Sequence, residues 1–173
     1  MDSENPQSTP PSWLRTVVIG RRPKRTFVRI VALVISCLIV FNFVLLPILV
    51  QGGSMMPTYK ENHINFVNRL AYRWSEPKRG DVIAIRFAGP HMMLMKRIVG
   101  MPGETISFHM GHVLINGEPL SEPYVQLTCT WELPPEKIGP NEYYVVGDNR
   151  SMPPNDHTKG RATRIRIIGK VLL

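Results

Sequence analysis

Two residues of this sequence have the right chemistry to act as a pair. Ser54 stands in Gly52-Gly53-Ser54-Met55-Met56-Pro57-Thr58, just after a long apolar run. Lys96 follows Met93, Leu94 and Met95 and precedes Arg97, Ile98 and Val99. A serine hydroxyl is a weak nucleophile and needs a base within reach. The histidines (His63, His91, His109, His112 and His157) are scattered, and none sits in a recognisable triad context. A lysine amine serves instead where burial disfavours its charged form. An apolar strand around Lys96 supplies that lining. Taken singly, Ser54 reads as a loop serine and Lys96 as a solvated lysine.

The element that leads into Ser54 is the apolar run Ile30 to Val50, interrupted only by the polar Ser36 and Asn42. At about 1.5 Å per residue, a helix of this length matches a hydrocarbon core of about 30 Å. It is apolar all round, unlike the amphipathic helix of a soluble core. It also lacks the short core and small-residue cleavage site of a removable leader. A single transmembrane helix over 30–50 is expected, with Pro47 kinking or ending its regular part. Arg15, Arg21, Arg22, Lys24, Arg25 and Arg29 precede it. This basic excess places residues 1–29 in the cytoplasm, disordered over Met1 to Ser12, and residues 51–173 outside it.

The rest of the chain contains no second spanning run and no long helical period. Short strands are expected at His63–Asn68, Asp81–Phe87, Met93–Val99, Thr105–His109, His112–Ile115, Tyr143–Val146 and Arg166–Leu172. Turn signals separate them, with Asn116-Gly117 a strong hairpin pair. The stretch Ser121–Pro140 reads as a long loop. Sixteen prolines and thirteen glycines in 173 residues favour a loop-rich β fold over a bundle.

Composition removes several functions. The net charge of +8 is explained by the basic cluster before the apolar run. No aromatic residues alternate with basic ones as stacking platforms would, so no nucleic-acid partner is expected. Cys37 and Cys129 form no disulfide framework, and His109 and His112 lack further ligands at zinc spacing. No metal or other cofactor is expected.

Four clusters follow the apolar run in order: the serine segment, Arg79-Gly80-Asp81-Val82, Met95-Lys96-Arg97-Ile98-Val99-Gly100-Met101-Pro102-Gly103-Glu104, and Gly147-Asp148-Asn149-Arg150. Together they resemble the boxes of the type I signal peptidase family, and the likeness runs from the apolar segment to the C-terminus. Val113-Leu114-Ile115-Asn116-Gly117 and Glu122-Pro123-Tyr124-Val125 are similar to the family too. The resemblance implies a spanning helix followed by a coiled, partly open antiparallel β-barrel-like domain. It implies that Ser54 attacks and Lys96 is its base, through an acyl-enzyme. It implies backbone oxyanion donors around Gly52, Gly53 and Ser54. It makes Met55, Met56, Pro57, Leu94 and Met95 the lining of shallow pockets for small side chains of a signal peptide. Asp81, Arg97, Asp148, Asn149 and Arg150 become supports of the site.

The chain departs from the family after Arg150. The common form G-D-N-R-x-x-S-x-D-S-R-x-x-G places a serine where this chain has Pro153, an aspartate where it has Asn155 and an arginine where it has His157. The hydroxyl that orients the lysine is then missing, or comes from Ser151 or Thr158. Asp156 and His157 are expected to form the supporting ion pair instead. The activity implied is removal of signal peptides from exported preproteins by a monomer in the lipid bilayer. A narrower peptidase maturing a pilin or conjugation protein, and an inactive membrane-anchored binding relative, are the alternatives.

Overall fold

Apolar residues without a soluble partner surface dominate the first element. In the computed structural model, helix α1 (Pro23–Ile39) is followed by a π-helical turn, Val40–Val44. The segment Lys24–Val44 is 21 residues long, apolar enough to cross a membrane, and none of it is buried. Phe27, Leu33 and Leu38 are each more than half exposed. The structure describes residues 23–88, 92–153, 155, 157 and 159–172. The expected disorder of Met1 to Ser12 and the basic residues up to Arg22 fall outside the described residues. The chain divides into two units, 1–40 and 41–173.

In the second unit every pairing between named strands is antiparallel. Its strands are β1 (Leu45–Leu49), β2 (Ile64–Asn68), β3 (Val82–Ala88), β4 (Met92–Gly100), β5 (Thr105–His109), β6 (His112–Ile115), β7 (Glu118–Pro119), β8 (Leu133–Lys137), β9 (Glu142–Val146), β10 (Gly160–Thr163) and β11 (Ile167–Val171). They form a seven-stranded sheet in the order β1-β2-β11-β3-β4-β9-β10 and a four-stranded sheet in the order β7-β6-β5-β8. The larger sheet curls into a half-barrel. Strand β9 shows why: Tyr143 and Val145 face one core with Ile83, Ile85 and Ile98, while Tyr144 and Val146 face another with Phe108 and Trp131. A strand buried on both faces must lie between layers. A third core joins Met55 and Tyr59 to Val67, Val82, Ala84 and Val171, and so ties the serine segment to the sheet.

Three expectations are corrected. The spanning helix does not run over 30–50: residues 45–49 are strand β1, paired with β2 from Leu45↔Asn68 to Leu49↔Ile64. Pro47 has no N–H, yet β1 is an edge strand bonded on one side only, where a proline is tolerated. The loop expected over Ser121–Pro140 contains β8, another proline-bearing edge strand, paired with β5. Strands β7 and β10 lie outside the expected strands too; they pair with β6 and β9.

Candidate active site

The loop between β1 and β2 carries Ser54 in a 3-10 turn, Gly53–Met55. Gly52 enters the turn at φ 85°, a left-handed conformation that favours glycine. Met55 is buried in the core and anchors the turn from below. From the other side, Asn149 holds the turn twice. Its side-chain Nδ2 donates to the Gly53 carbonyl and its backbone N–H to the Ser54 carbonyl, both at 3.0 Å. Gly147 lies so close that a Cβ there would stand 2.1 Å from the Ser54 carbonyl oxygen.

Lys96 lies in β4, opposite Ile83 of β3. Its Nζ stands 2.7 Å from Ser54 Oγ. The residue is only 2% exposed, so its charged form loses most of its hydration. Burial pushes the amine down from 10.5 to about 8, against the opposing pull of the Asp148 carboxylate. Roughly one amine in ten is therefore free base at pH 7, against fewer than about one in a thousand for a solvated lysine. Among the described residues, Ser54 is the one hydrogen-bond partner of Nζ. A neutral amine at this distance can take the hydroxyl proton directly.

The backbone amides around Ser54 differ in availability. Gly52 N–H donates to Glu61 Oε1 at 3.0 Å and is already engaged. No hydrogen bond to the amides of Gly53 or Ser54 is formed among the described residues, which leaves both free for a developing oxyanion. Glu61 was not legible as a site residue, because it acts across a loop closed by Val50 and Asn62 rather than from within a motif.

A cavity of about 540 Å³ opens beside Ser54. Pro47 to Gly52, Ser54, Met55 and Met93 to Met95 line it. Of the residues expected to form substrate pockets, Met55, Leu94 and Met95 therefore lie there. Met56 and Pro57 do not; both are exposed beyond the turn, because it is Met55 that points into the core.

Asp148 is fully buried and ties the layers together. Arg97 Nε and Nη2 donate to its two oxygens at 2.8 and 2.6 Å, and Thr58 Oγ1 donates at 2.6 Å. Arg97 also donates to the Gly80 carbonyl and lies 4.0 Å from the Tyr124 ring centroid. Arg150, 1% exposed, donates to Gly147 O and to both carboxylate oxygens of Glu122. Thr58, Glu122 and Tyr124 were visible as parts of family segments, but their roles as partners required the fold. Asp81 is placed elsewhere: it accepts from Tyr72, Lys170 and the Lys78 amide and makes no hydrogen bond to the Ser54 turn or the 147–150 turn.

Of the expected ion pair of Asp156 and His157, only His157 is among the described residues. Asp156 and Thr158 lie outside the described residues. His157 is buried, and burial with Lys96, Arg150 and Lys159 nearby pushes its imidazole down to about 3. It is neutral at pH 7 and forms no ion pair among the described residues. Its Nε2 accepts from the Gly147 amide at 2.8 Å, and its ring meets Trp131 edge-on. Ser151 does not supply the missing hydroxyl, because its Oγ donates to Asn149 Oδ1.

The family model described as "Signal peptidase, peptidase S26" matches residues 24–172. The chain belongs to the signal peptidase family. A signal peptidase I from Leptolyngbya laminosa is 32% identical, over 99% of this chain and 89% of its own. Signal peptidase I P of Bacillus subtilis subsp. natto is 34% identical, over 70% of each chain. A solved signal peptidase I from Enterococcus faecalis aligns at 26% identity and a TM-score of 0.45, over 57% of this chain and 98% of its own. The protein is thus a serine endopeptidase, and its relatives are signal peptidases I.

Proposed function

We propose that this peptidase removes N-terminal signal peptides from exported preproteins by a Ser54–Lys96 dyad and an acyl-enzyme. The observation that carries the reading is the 2.7 Å separation of a buried, deprotonation-prone amine from a single hydroxyl. Neutral Lys96 takes the Ser54 proton as Oγ bonds to the scissile carbonyl carbon. The carbonyl oxygen becomes an oxyanion facing the free amides of Gly53 and Ser54. Lys96 then passes its proton to the departing nitrogen, and the C–N bond breaks to leave an ester on Ser54. Water, losing a proton to Lys96, attacks that ester and releases the signal peptide, while Ser54 recovers its proton. No outside proton donor is required.

Strand β4 pairs with β3 along its length but with β9 only from Arg97 onward. The flank from Met93 to Lys96 is thus open for an extended peptide to add as a strand. The cavity beside Ser54 has apolar walls suited to small side chains before the cleaved bond. The apolar part of segment 24–44 anchors the chain in the bilayer, with the basic residues up to Arg29 cytoplasmic and the catalytic unit outside the cytoplasm.

The test is cleavage of a preprotein in detergent by the wild type, Ser54→Ala and Lys96→Ala. Both variants are expected to lose activity by at least about a thousandfold. Wild-type rates in either would overturn the assignment. Covalent labelling by a serine-directed peptide inhibitor is expected in the wild type and absent from Ser54→Ala.

A further inference from the structure

Trp131 is 4% exposed and packs in the core that holds Phe108, Tyr144 and Val146. Apolar volume alone would be met there by a phenylalanine. An indole also brings a buried N–H that must find an acceptor. Its acceptor is the Met152 carbonyl, at 3.2 Å. The same ring meets the His157 imidazole edge-on, with 4.9 Å between centroids, and Lys159 Nζ lies 5.1 Å from its centroid. One side chain thus touches three points of the segment in which this chain departs from the family's common form.

His157 stands between Trp131 and the turn that carries Ser54. Its backbone N–H donates to the Pro153 carbonyl at 3.0 Å, and its Nε2 accepts from the Gly147 amide at 2.8 Å. Gly147 is pressed against both neighbours. A Cβ there would stand 2.1 Å from the Ser54 carbonyl oxygen, and 2.8 and 2.9 Å from His157 Cε1 and Nε2. Indole, imidazole, glycine and the Ser54 backbone therefore form an unbroken series of contacts. Close-packed groups transmit strain, so a shift of the first displaces the last.

We propose that Trp131 is a positioning residue for Ser54, acting through His157 and Gly147. This rests on the dyad reading, since Ser54 is the group being positioned. The aromatic pair supports a segment in which Pro153, Asn155 and His157 take the places of the family's serine, aspartate and arginine. Neither Trp131 nor His157 lines the cavity beside Ser54, so their influence falls on the reacting geometry and not on the binding of the peptide.

The experiment measures cleavage of one preprotein in detergent micelles by the full chain, as wild type, Trp131→Phe, His157→Ala and the double variant. Rates are taken per active site titrated with the serine-directed peptide inhibitor, well below each melting temperature. Trp131→Phe is expected to lower kcat about tenfold and to change KM by less than about twofold. In the His157→Ala background the same substitution is expected to cost less than about threefold, because residues acting in series give losses that do not multiply. His157→Gln, whose side-chain oxygen can still accept from Gly147, is expected to recover most of the kcat lost in His157→Ala. If Trp131→Phe yields no folded protein, Trp131→Tyr takes its place in the cycle. An unchanged kcat in the Trp131 variant, or losses that multiply in the double variant, overturns the proposal and leaves the indole as core filling alone. His157→Gln as slow as His157→Ala overturns it too. Wild-type turnover in Ser54→Ala would refute the dyad instead, and the cycle would still report whether Trp131 and His157 act as a unit.

Discussion

Replacing Lys96 by methionine should destroy activity and raise stability. The fold holds the amine at about 8 against an ordinary 10.5, so at pH 7 the native state carries an ammonium it disfavours. At about 1.4 kcal/mol per pH unit, that penalty is ~3 kcal/mol. Methionine fills the space of the aliphatic stem without the charge. Losing the hydrogen bond to Ser54 returns about 1 kcal/mol, which leaves a net gain of ~2 kcal/mol. For a unit of this size the melting temperature should rise by roughly 5–10 °C. The sign is fixed by linkage: below pH 8 the unfolded and native amines are both charged and the wild type bears the whole penalty. Between 8 and 10.5 the native amine is neutral while the unfolded one is still charged, so the wild type gains stability as pH rises. The variant's advantage must therefore shrink across that window and reverse above it, where only the ~1 kcal/mol lost with the hydrogen bond remains. Thermal unfolding of both proteins in micelles from pH 7 to 11, followed by near-ultraviolet circular dichroism, reads this directly. A variant no more stable than wild type at pH 7, or an advantage constant with pH, would refute the claim that burial disfavours the charge.

Three further perturbations probe the supports. Gly147→Ala puts a Cβ 2.1 Å from the Ser54 carbonyl oxygen and 2.8 Å from His157 Cε1, so the serine turn must shift. A kcat loss of about a hundredfold or more is expected, and unchanged kcat would show that the turn is not positioned from Gly147. His157, held near 3 in the fold, should weaken stability as pH falls from 6.5 toward 3, because only the unfolded chain takes up the proton readily. His157→Ala should lose that acid dependence and turn over more slowly. An identical acid profile and rate would dismiss its support of Gly147. Glu61→Ala frees the Gly52 amide and should lower kcat by roughly tenfold with a smaller change in KM, while Glu61→Gln retains an acceptor and most of the rate. Equal rates for all three proteins would make Glu61 irrelevant to the turn.

Much of this architecture can be read in the sequence, and the exceptions share physical causes. Strands with alternating or doubly apolar patterns, such as β5 and β9, were legible because one face or both must be buried. Strand β1 was hidden in a continuous apolar run, where a spanning helix and an edge strand have the same composition. Strand β8 was hidden by Pro134 and Pro135, which only an edge position tolerates. Ser54 and Lys96 were visible because their boxes follow in order. What lies 42 residues apart in sequence but 2.7 Å apart in space could not be measured from spacing. Asp81 looked like a support of the site because its box is one of the four, yet its partners are Tyr72 and Lys170. His157 sits where burial and surrounding cations make a charged imidazole costly, an environment that spacing in the sequence does not reveal.

The dyad itself is tested most directly by the pH dependence of kcat/KM for a signal-peptide substrate. The rate should rise tenfold per pH unit on the acid side and level off above an inflection near pH 8, where Lys96 becomes the free base. A profile flat from pH 6 to 9, or still climbing toward 10.5, would contradict it.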